Sequence, residues 1–322
     1  MRLFGVAMVR DEADVIEAFV RHNLGVLDGL AIADHGSLDG TSEILAALHA
    51  EGLALRRVEV AEPGFFQSRY VSELARETLA RQNADFVFAL DADEFLKIGS
   101  RATLERALAA VPAGMHVLAH WLTYVPDDFE ASGGAFGPGH LWRRLKTERH
   151  SVHKVVVSRA LLDQPRAFIT DGNHLVAEPG EAKPRRHARL PAEVLAYAHC
   201  PVRSRDQLAG KVITGYLAEL AAQAPGREFA HHWGELYAEL RAGATLTPER
   251  LREIACNYTL PRAKWRPVEE IELVEDPMPL TVPLRYPAAA APDTLRRLMR
   301  FAEALIAAER AQAASATRYV VL

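Results

Sequence analysis

The sequence has few cysteines, no long apolar run and no large excess of charge of either sign. Its 322 residues include only Cys200 and Cys256. They lie far apart without a Cys-x-x-Cys spacing, which disfavours a disulfide framework or a structural zinc site. No stretch of about 18 apolar residues occurs, so we expect no integral membrane span. The formal net charge of -4 disfavours a protein that binds nucleic acid mainly by electrostatic attraction.

The first residues also lack the pattern of a signal peptide. The apolar run from Leu3 to Val9 meets three charged residues at 10–12 before any small-residue cleavage site. We therefore expect a cytoplasmic protein. Peripheral contact with the inner membrane face is a further alternative, because the helix predicted from Thr294 to Ala314 carries arginines beside apolar residues. The arginines of this helix are Arg296, Arg297 and Arg300. The other interpretation is that the helix packs on its own domain and exposes these arginines to solvent.

The first 110 residues alternate between strand and helix patterns. Strands separated by helices of this length predict crossover units and a parallel sheet with helices on both faces. The predicted strands are Leu3–Val9, Leu30–Ala33, Leu53–Val60 and Phe86–Leu90. Four helices are predicted: one that begins near Ile16, one that ends near Gly52, one from Ser68 to Gln82 and one from Ala102 to Ala110.

Beyond residue 110 the pattern changes. Strand candidates at Val117–Leu122, Gly139–Leu145 and Val152–Ser158 are separated by long polar loops at 126–139 and 177–189, which predicts a mixed or antiparallel second half. Ser204 and Thr247 begin helical patterns as capping residues. We predict one α/β domain at 1–225, divided into halves at 1–110 and 111–225, and a mainly helical C-terminal extension at 226–322.

The strand Phe86–Leu90 ends in three carboxylates, Asp91, Asp93 and Glu94. Parallel sheets place their chemistry beyond the carboxyl ends of the strands, so this position favours a functional site. Two aspartates two positions apart can share Mn2+ or Mg2+, which are often bound by one or two carboxylates together with substrate phosphates. One Asp-x-Asp is expected by chance in a chain this acidic, and acids that merely cap the strand in solvent are the structural alternative.

Two further acidic segments are predicted at neighbouring strand ends. One comprises Val9 to Glu12 and the other Asp34 to Thr41. The carboxyl ends of neighbouring parallel strands converge, and helix N-termini beside them favour phosphate. The three segments together therefore predict a site for a nucleoside diphosphate.

In order, the segments from Leu3 to Leu96 resemble the inverting family-2-like glycosyltransferases of GT-A fold, especially a bacterial branch whose metal motif reads Asp-x-Asp-Glu-Phe. The resemblance implies that nucleotide is contacted by Val9, Asp11, Glu12, Asp34, Gly36, Arg69, Asp91 and Ala92. It implies that Asp34 holds the base, that Asp93 is the principal metal ligand and that Asp91 lies near ribose or metal.

Later segments resemble the same branch more weakly. They are His153 to Val157, Gly172 to His174 and Tyr197 to Ser204. The resemblance implies that His199 is an additional metal or phosphate contact, with Arg203 and Lys211 as phosphate contacts.

An inverting transfer also needs a base that deprotonates the acceptor hydroxyl. The candidates in the acceptor half are Asp171, Asp128, Glu130 and His174. We favour Asp171 because it adjoins the segment Gly172 to His174.

The predicted function is a metal-dependent glycosyltransferase that transfers a hexosyl or related group from a UDP- or GDP-linked donor to a hydroxyl of a carbohydrate or lipid-linked acceptor. The resemblance implies a setting in cell-surface polysaccharide or lipopolysaccharide synthesis, and a homodimer is left open. One alternative is an Asp-x-Asp phosphohydrolase, although Phe95 stands where that chemistry usually has a small hydroxyl residue. Another is a binding module for nucleotide sugars that does not catalyse transfer.

Overall fold

The computed structural model describes residues 1–129, 136, 140–149, 152–180, 187–222, 231–278, 283–286 and 294–317. Glu130, the side chains of Arg296 and Arg297, and parts of the loops at 126–139 and 177–189 lie outside the described residues.

The first half of the domain is a parallel sheet. Its strands are β1 (Leu3–Val9), β2 (Gly29–Asp34), β3 (Leu55–Glu59) and β4 (Phe86–Leu90), joined by α1 (Ile16–Leu24), α2 (Thr41–Ala50) and α3 (Gln67–Arg81). The strand order is β3-β2-β1-β4, and each pair is parallel. The predicted crossover arrangement is confirmed.

The second half makes the sheet mixed. It contains β5 (Glu94–Ile98), α4 (Arg101–Ala109), β6 (His116–Thr123), β7 (Arg143–Leu145), β8 (His153–Ser158), β9 (Phe168–Ile169), β10 (Val176–Ala177), β11 (His187–Arg189) and β12 (Leu195–His199). The main sheet continues from β4 as β8-β6-β12-β5, with β11 beside β6. Strand β8 is antiparallel to both β4 and β6, whereas β12 is parallel to β6 and antiparallel to β5. The predicted α/β class with a mixed sheet is confirmed.

The alternation of side chains along β4 gives the sheet its two cores. Phe86, Phe88 and Leu90 pack with α1 and α2 on one face, whereas Val87 and Ala89 pack with α3 on the other. A strand covered on both faces needs apolar residues at every position. The acids that follow this strand are therefore held at a fixed place by packing on both sides.

The C-terminal part is mainly helical. It comprises α5 (Arg205–Ala221), α6 (His231–Arg241), α7 (Pro248–Asn257) and α8 (Thr294–Thr317), with a short strand β13 (Leu273–Glu275) paired to β7. As predicted, the side chains of Ser204 and Thr247 cap α5 and α7. Among the described helices, none has the length and apolarity needed to cross a membrane. The boundary at residue 225 stays a prediction.

Candidate functional site

Two of the three acids after β4, Asp91 and Asp93, line a cavity, and the third, Glu94, is buried. The Asp91 N–H donates to Glu94 Oε2 at 2.9 Å, and the Glu94 N–H donates to the Asp91 carbonyl at 3.1 Å, which closes a tight turn between β4 and β5. The Asp93 side chain is 1% exposed and the Glu94 side chain is fully buried. Glu94 begins the buried strand β5, which the sequence pattern did not indicate.

Lys154 of β8 contacts two of these acids. Its Nζ lies 2.5 Å from Asp91 Oδ2 and 2.7 Å from Glu94 Oε1. Burial alone would raise the pKa of Asp91, but the charge of Lys154 lowers it below the ordinary value. For Glu94, burial outweighs Lys154 and raises the pKa to about 8. Asp91 Oδ1 also accepts hydrogen bonds from Gln67 and Asn173, at 2.8 and 3.0 Å.

Asp93 is surrounded by basic groups. Lys211 Nζ lies 2.5 Å from Oδ2, Arg203 Nη1 lies 3.8 Å from the same oxygen, and His199 Nε2 lies 3.5 Å from Oδ1. Burial would raise the pKa of Asp93, but Lys211 and His199 hold it well below its usual range. Burial lowers the pKa of His199 to about 4, although Asp93 opposes this. The imidazole is therefore neutral at pH 7.

The pair formed by Asp93 and His199 fits a divalent cation. Asp93 Oδ1 is buried and has no hydrogen-bond partner in the described part of the chain. Ligand atoms lie about 2.1 Å from a bound Mg2+ ion. Asp93 Oδ1 and His199 Nε2, which are 3.5 Å apart, can therefore bind the same ion. No cluster of three or more His, Cys, Asp or Glu side chains suited to a metal occurs among the described residues. Phosphate and water would have to supply the remaining ligands, as is usual for Mg2+.

Arg203 forms ion pairs with two acids of the loop after β1, below the cavity. Its buried guanidinium pairs with Glu12 and with Asp14, at 2.6 Å for the Asp14 contact. Burial raises the pKa of Glu12 to about 7, although Arg203 and Lys211 oppose the shift. The residue predicted as a phosphate contact thus forms an ion-pair network that joins the loop after β1 to the segment after β12.

A cavity of about 520 Å³ opens above these groups. The predicted site residues that line it are Val9, Glu12, Asp91, Ala92, Asp93, Asp171, His174, His199 and Lys211. The predicted site residues that are not part of its lining are Asp11, Asp34, Gly36, Arg69, Asp128 and Arg203. The folded chain thus brings the acid motif together with three other predicted residues, Lys211, His174 and His199, and with the favoured base Asp171.

Two of the predicted nucleotide contacts accept hydrogen bonds from the loop after β2, and the bond to Asp11 ties that loop to the one after β1. Asp11 Oδ1 accepts from the N–H of Leu38 at 2.7 Å, and Asp34 Oδ1 accepts from the N–H of Ser37 at 3.0 Å. Gly36 has a φ of +65°, which glycine adopts without strain. These contacts shape the edge of the site.

Two other predicted residues lie apart from the cavity lining. Arg69 pairs with Glu62 and its guanidinium lies over the ring of Tyr70. Asp128 is exposed. Their assigned roles stay predictions.

The acceptor-side residues are held by a turn after β9. Asp171 Oδ1 accepts from the N–H of Ser68 at 3.0 Å, at the start of α3. His174 Nδ1 lies 3.0 Å from the carbonyl oxygen of His153, and its ring stacks on Trp121 with a centroid separation of 6.0 Å. Asp171 and His174 therefore face one cavity from neighbouring positions on the same turn.

Sequence reasoning missed the aromatic part of the lining. It consists of Phe65, Trp121, Trp233 and Tyr258, which come from four separate parts of the chain. No local pattern marks them, because aromatic residues at strand or helix positions are typical of a core. Lys154 carried a stronger signal, since a lysine inside the apolar strand Val152–Ser158 requires a buried partner.

Comparison with known proteins finds likeness among solved structures only. No family model matches the chain, and no curated protein sequence matches it. The first of three similar structures is Staphylococcus aureus TarS 1-349, with 14% identity over 75% of this chain and 71% of that chain and a TM-score of 0.36. The second is the mannosyltransferase PcManGT from Pyrobaculum calidifontis in complex with GDP-Man and Mn2+, with 19% identity over 79% and 72% and a TM-score of 0.38.

The third is glucosyl-3-phosphoglycerate synthase from Mycobacterium tuberculosis in complex with Mn2+, UDP and glucosyl-3-phosphoglycerate. It has 20% identity over 37% of this chain and 44% of that chain, and a TM-score of 0.25.

Proposed function

We propose that the chain is a metal-dependent glycosyltransferase that moves a sugar from a nucleotide diphosphate donor to a hydroxyl acceptor. The observation that carries the proposal is the meeting of Asp93, His199 and Lys211 at the base of one cavity beyond the carboxyl end of β4. This set offers a partly unsatisfied carboxylate, a neutral imidazole and an ammonium group. Together they suit a diphosphate with its cation.

Asp93 and His199 would hold Mn2+ or Mg2+, which when bound would offset charge on the departing diphosphate. Lys211 Nζ lies beside the same carboxylate and can donate to a phosphate oxygen. Lys154 keeps Asp91 ionised, so Asp91 Oδ1 and Oδ2 can accept hydrogen bonds from donor hydroxyls near the metal site.

We propose Asp171 as the base for the acceptor. Asp171 lines the cavity, as does His174 three positions later, whereas Asp128 does not. In the proposed inverting step the acceptor oxygen bonds to the anomeric carbon as the bond from that carbon to the diphosphate oxygen breaks. The acceptor proton passes to Asp171 Oδ.

The wider setting also stays a proposal. It comprises UDP- or GDP-linked donors, carbohydrate or lipid-linked acceptors, a role in cell-surface polysaccharide or lipopolysaccharide synthesis, and a cytoplasmic location, with peripheral contact at the inner membrane face as the alternative.

Calorimetric titration of UDP, GDP, CDP and dTDP, each with Mn2+ and with EDTA, tests the donor site. One nucleotide should bind with Mn2+ and lose its affinity in EDTA. Asp93→Ala should abolish that metal-dependent binding, and Asp93→Asn should reduce it while keeping the side-chain volume. Asp127→Ala is the matched control, because Asp127 is an exposed acid that pairs with Arg143.

The same preparation separates the two alternatives. Release of inorganic phosphate from a phosphate monoester, with no nucleotide binding, would support the phosphohydrolase. Nucleotide binding without either transfer or hydrolysis of a donor sugar would support the binding module. Normal Mn2+-dependent binding by Asp93→Ala would contradict the proposed metal role.

A further inference from the structure

One end of the cavity is aromatic and is built from two distant parts of the chain. Phe65 follows β3, and Trp233 lies on α6. Both line the cavity, with ring centroids 6.2 Å apart and planes inclined at 63°. Rings inclined in this way leave no parallel slot between them. A planar ligand at this end would therefore stack on one ring rather than between the two.

The position of the Trp233 ring is fixed by its packing on Gly215. A Cβ added to Gly215 of α5 would lie 2.6 to 3.1 Å from three carbon atoms of the indole ring. The ring therefore packs directly on the helix backbone at a position where only glycine leaves room. Burial raises the pKa of Tyr258, and a hydrogen bond from Trp233 opposes that shift. Since indole can only donate, Trp233 Nε1 donates to the Tyr258 hydroxyl.

The aromatic end lies at a definite distance from the phosphate-binding end. Lys211, Thr214 and Ala218 of α5 all line the cavity. Gly215, on which Trp233 packs, lies four residues from Lys211, about 6 Å along the helix axis. Ala218 lies seven residues, or two helical turns, from Lys211, about 10 Å along the axis. The Phe65 N–H donates to the Ala218 carbonyl at 3.0 Å, which fixes the aromatic end beside that turn. A diphosphate held at Lys211 would extend its ribose and base along this length.

The same end belongs to the parallel half of the sheet. His35 Nε2 lies 2.6 Å from the carbonyl oxygen of Glu62, and Arg10 Nη1 donates to that of Pro63 at 3.5 Å. Arg10 and His35 both line the cavity, as does Phe65. Trp121 of the same lining contacts His174 and His199. The ring of His199 lies 5.7 Å from that of Tyr258, between ring centroids.

We propose that Trp233, seated on Gly215, stacks on the nucleobase of the donor. The C-terminal extension then supplies part of the nucleotide site, and it does so without reading the hydrogen-bonding edge of the base. The inference rests on the proposed function, because it requires a nucleoside diphosphate with its phosphates at Lys211 and Asp93.

The test compares a nucleotide with a ligand that lacks the base. Binding of the preferred nucleoside diphosphate and of inorganic pyrophosphate, each with Mn2+, is measured by calorimetry for wild type and variants. Trp233→Ala should weaken nucleotide binding about tenfold or more, the range for loss of one base-stacking aromatic ring, and leave pyrophosphate binding unchanged. Gly215→Ala should act in the same direction, because its methyl group displaces an indole that is still present.

The matched control is Trp142→Ala, since Trp142 is exposed and is not part of the cavity lining. It should bind both ligands as wild type does. Equal nucleotide affinity in wild type and Trp233→Ala would overturn the inference. A parallel loss of pyrophosphate affinity would also overturn it, because Trp233 would then act on the site as a whole. If wild type binds pyrophosphate but no nucleotide, the proposed function itself fails.

Discussion

Replacing Arg203 by methionine should destabilise the protein by an amount that depends on pH. Arg203 is buried and pairs with Glu12 and Asp14. Removing one partner of a buried ion pair leaves an uncompensated charge and costs about 3 to 5 kcal/mol. We expect a loss of that size in the free energy of unfolding at pH 8, above the pKa of about 7 of Glu12 in the wild type.

The cost should be smaller at pH 5. In the folded protein the pKa of Glu12 is about 7, raised from 4.5 in the reference state chiefly by burial. A raised carboxyl pKa gives a contribution that is full below about pH 4.5 and is lost as the pH rises through 7. At pH 5 Glu12 is protonated, so the variant loses mainly the contacts with Asp14 and Asp93. At pH 8 it also loses the ion pair with Glu12.

Urea unfolding followed by circular dichroism at both pH values measures the difference. Arg250→Met is the control, because Arg250 lies nearer the surface and pairs with Glu239 and Glu253. Its loss should cost about 1 kcal/mol or less at either pH. The reasoning is refuted if Arg203→Met costs no more than this control, or if its cost is the same at pH 5 and pH 8.

Two further predictions concern the acceptor side. Asp171→Asn should lower kcat for transfer about 100-fold or more while donor binding persists. Asp128→Asn should leave kcat unchanged, because Asp128 is exposed outside the cavity lining. Equal rates in the two variants would exclude Asp171 as the base. Gly172→Ala should lower the transfer rate more than nucleotide affinity, because its Cβ would lie 2.5 Å from His174 Nε2. Gly180→Ala is the control for backbone strain, since Gly180 also has a positive φ but has nothing within 4 Å of the added atom. An equal loss of transfer rate in Gly180→Ala would show that backbone strain alone explains the effect of Gly172→Ala.

The parallel half of the sheet was predictable because each of its elements carries its own periodic pattern. An apolar run buried on both faces, such as Phe86–Leu90, has few alternatives once helices flank it. The acid motif was found for the same reason, since a strand end in such a sheet is a place where ligands bind. Strand β5 was missed because only its first residues, Glu94 to Leu96, are fully buried, and acids at its start resemble a loop.

The partners of the acids could not be predicted from spacing. Asp91 lies 63 positions from Lys154, and Asp93 lies 118 positions from Lys211. Pairings over such separations depend on strand order and on the path of α5, which local patterns do not encode. Trp233 was missed for a related reason. Its place in the site depends on the absence of a side chain at Gly215, a feature that only contact in three dimensions reveals.

The separation between the acids and their cations bears on the order in which the chain acquires structure. The carboxylates of residues 91–94 emerge during synthesis well before Lys154, Arg203 and Lys211. Burying them without those cations is unfavourable. We expect that a fragment ending near residue 110 would not reach the native packing of its own acid motif, even though it contains all four parallel strands. The two halves would then fold as one cooperative unit, and the last step would complete the floor of the cavity.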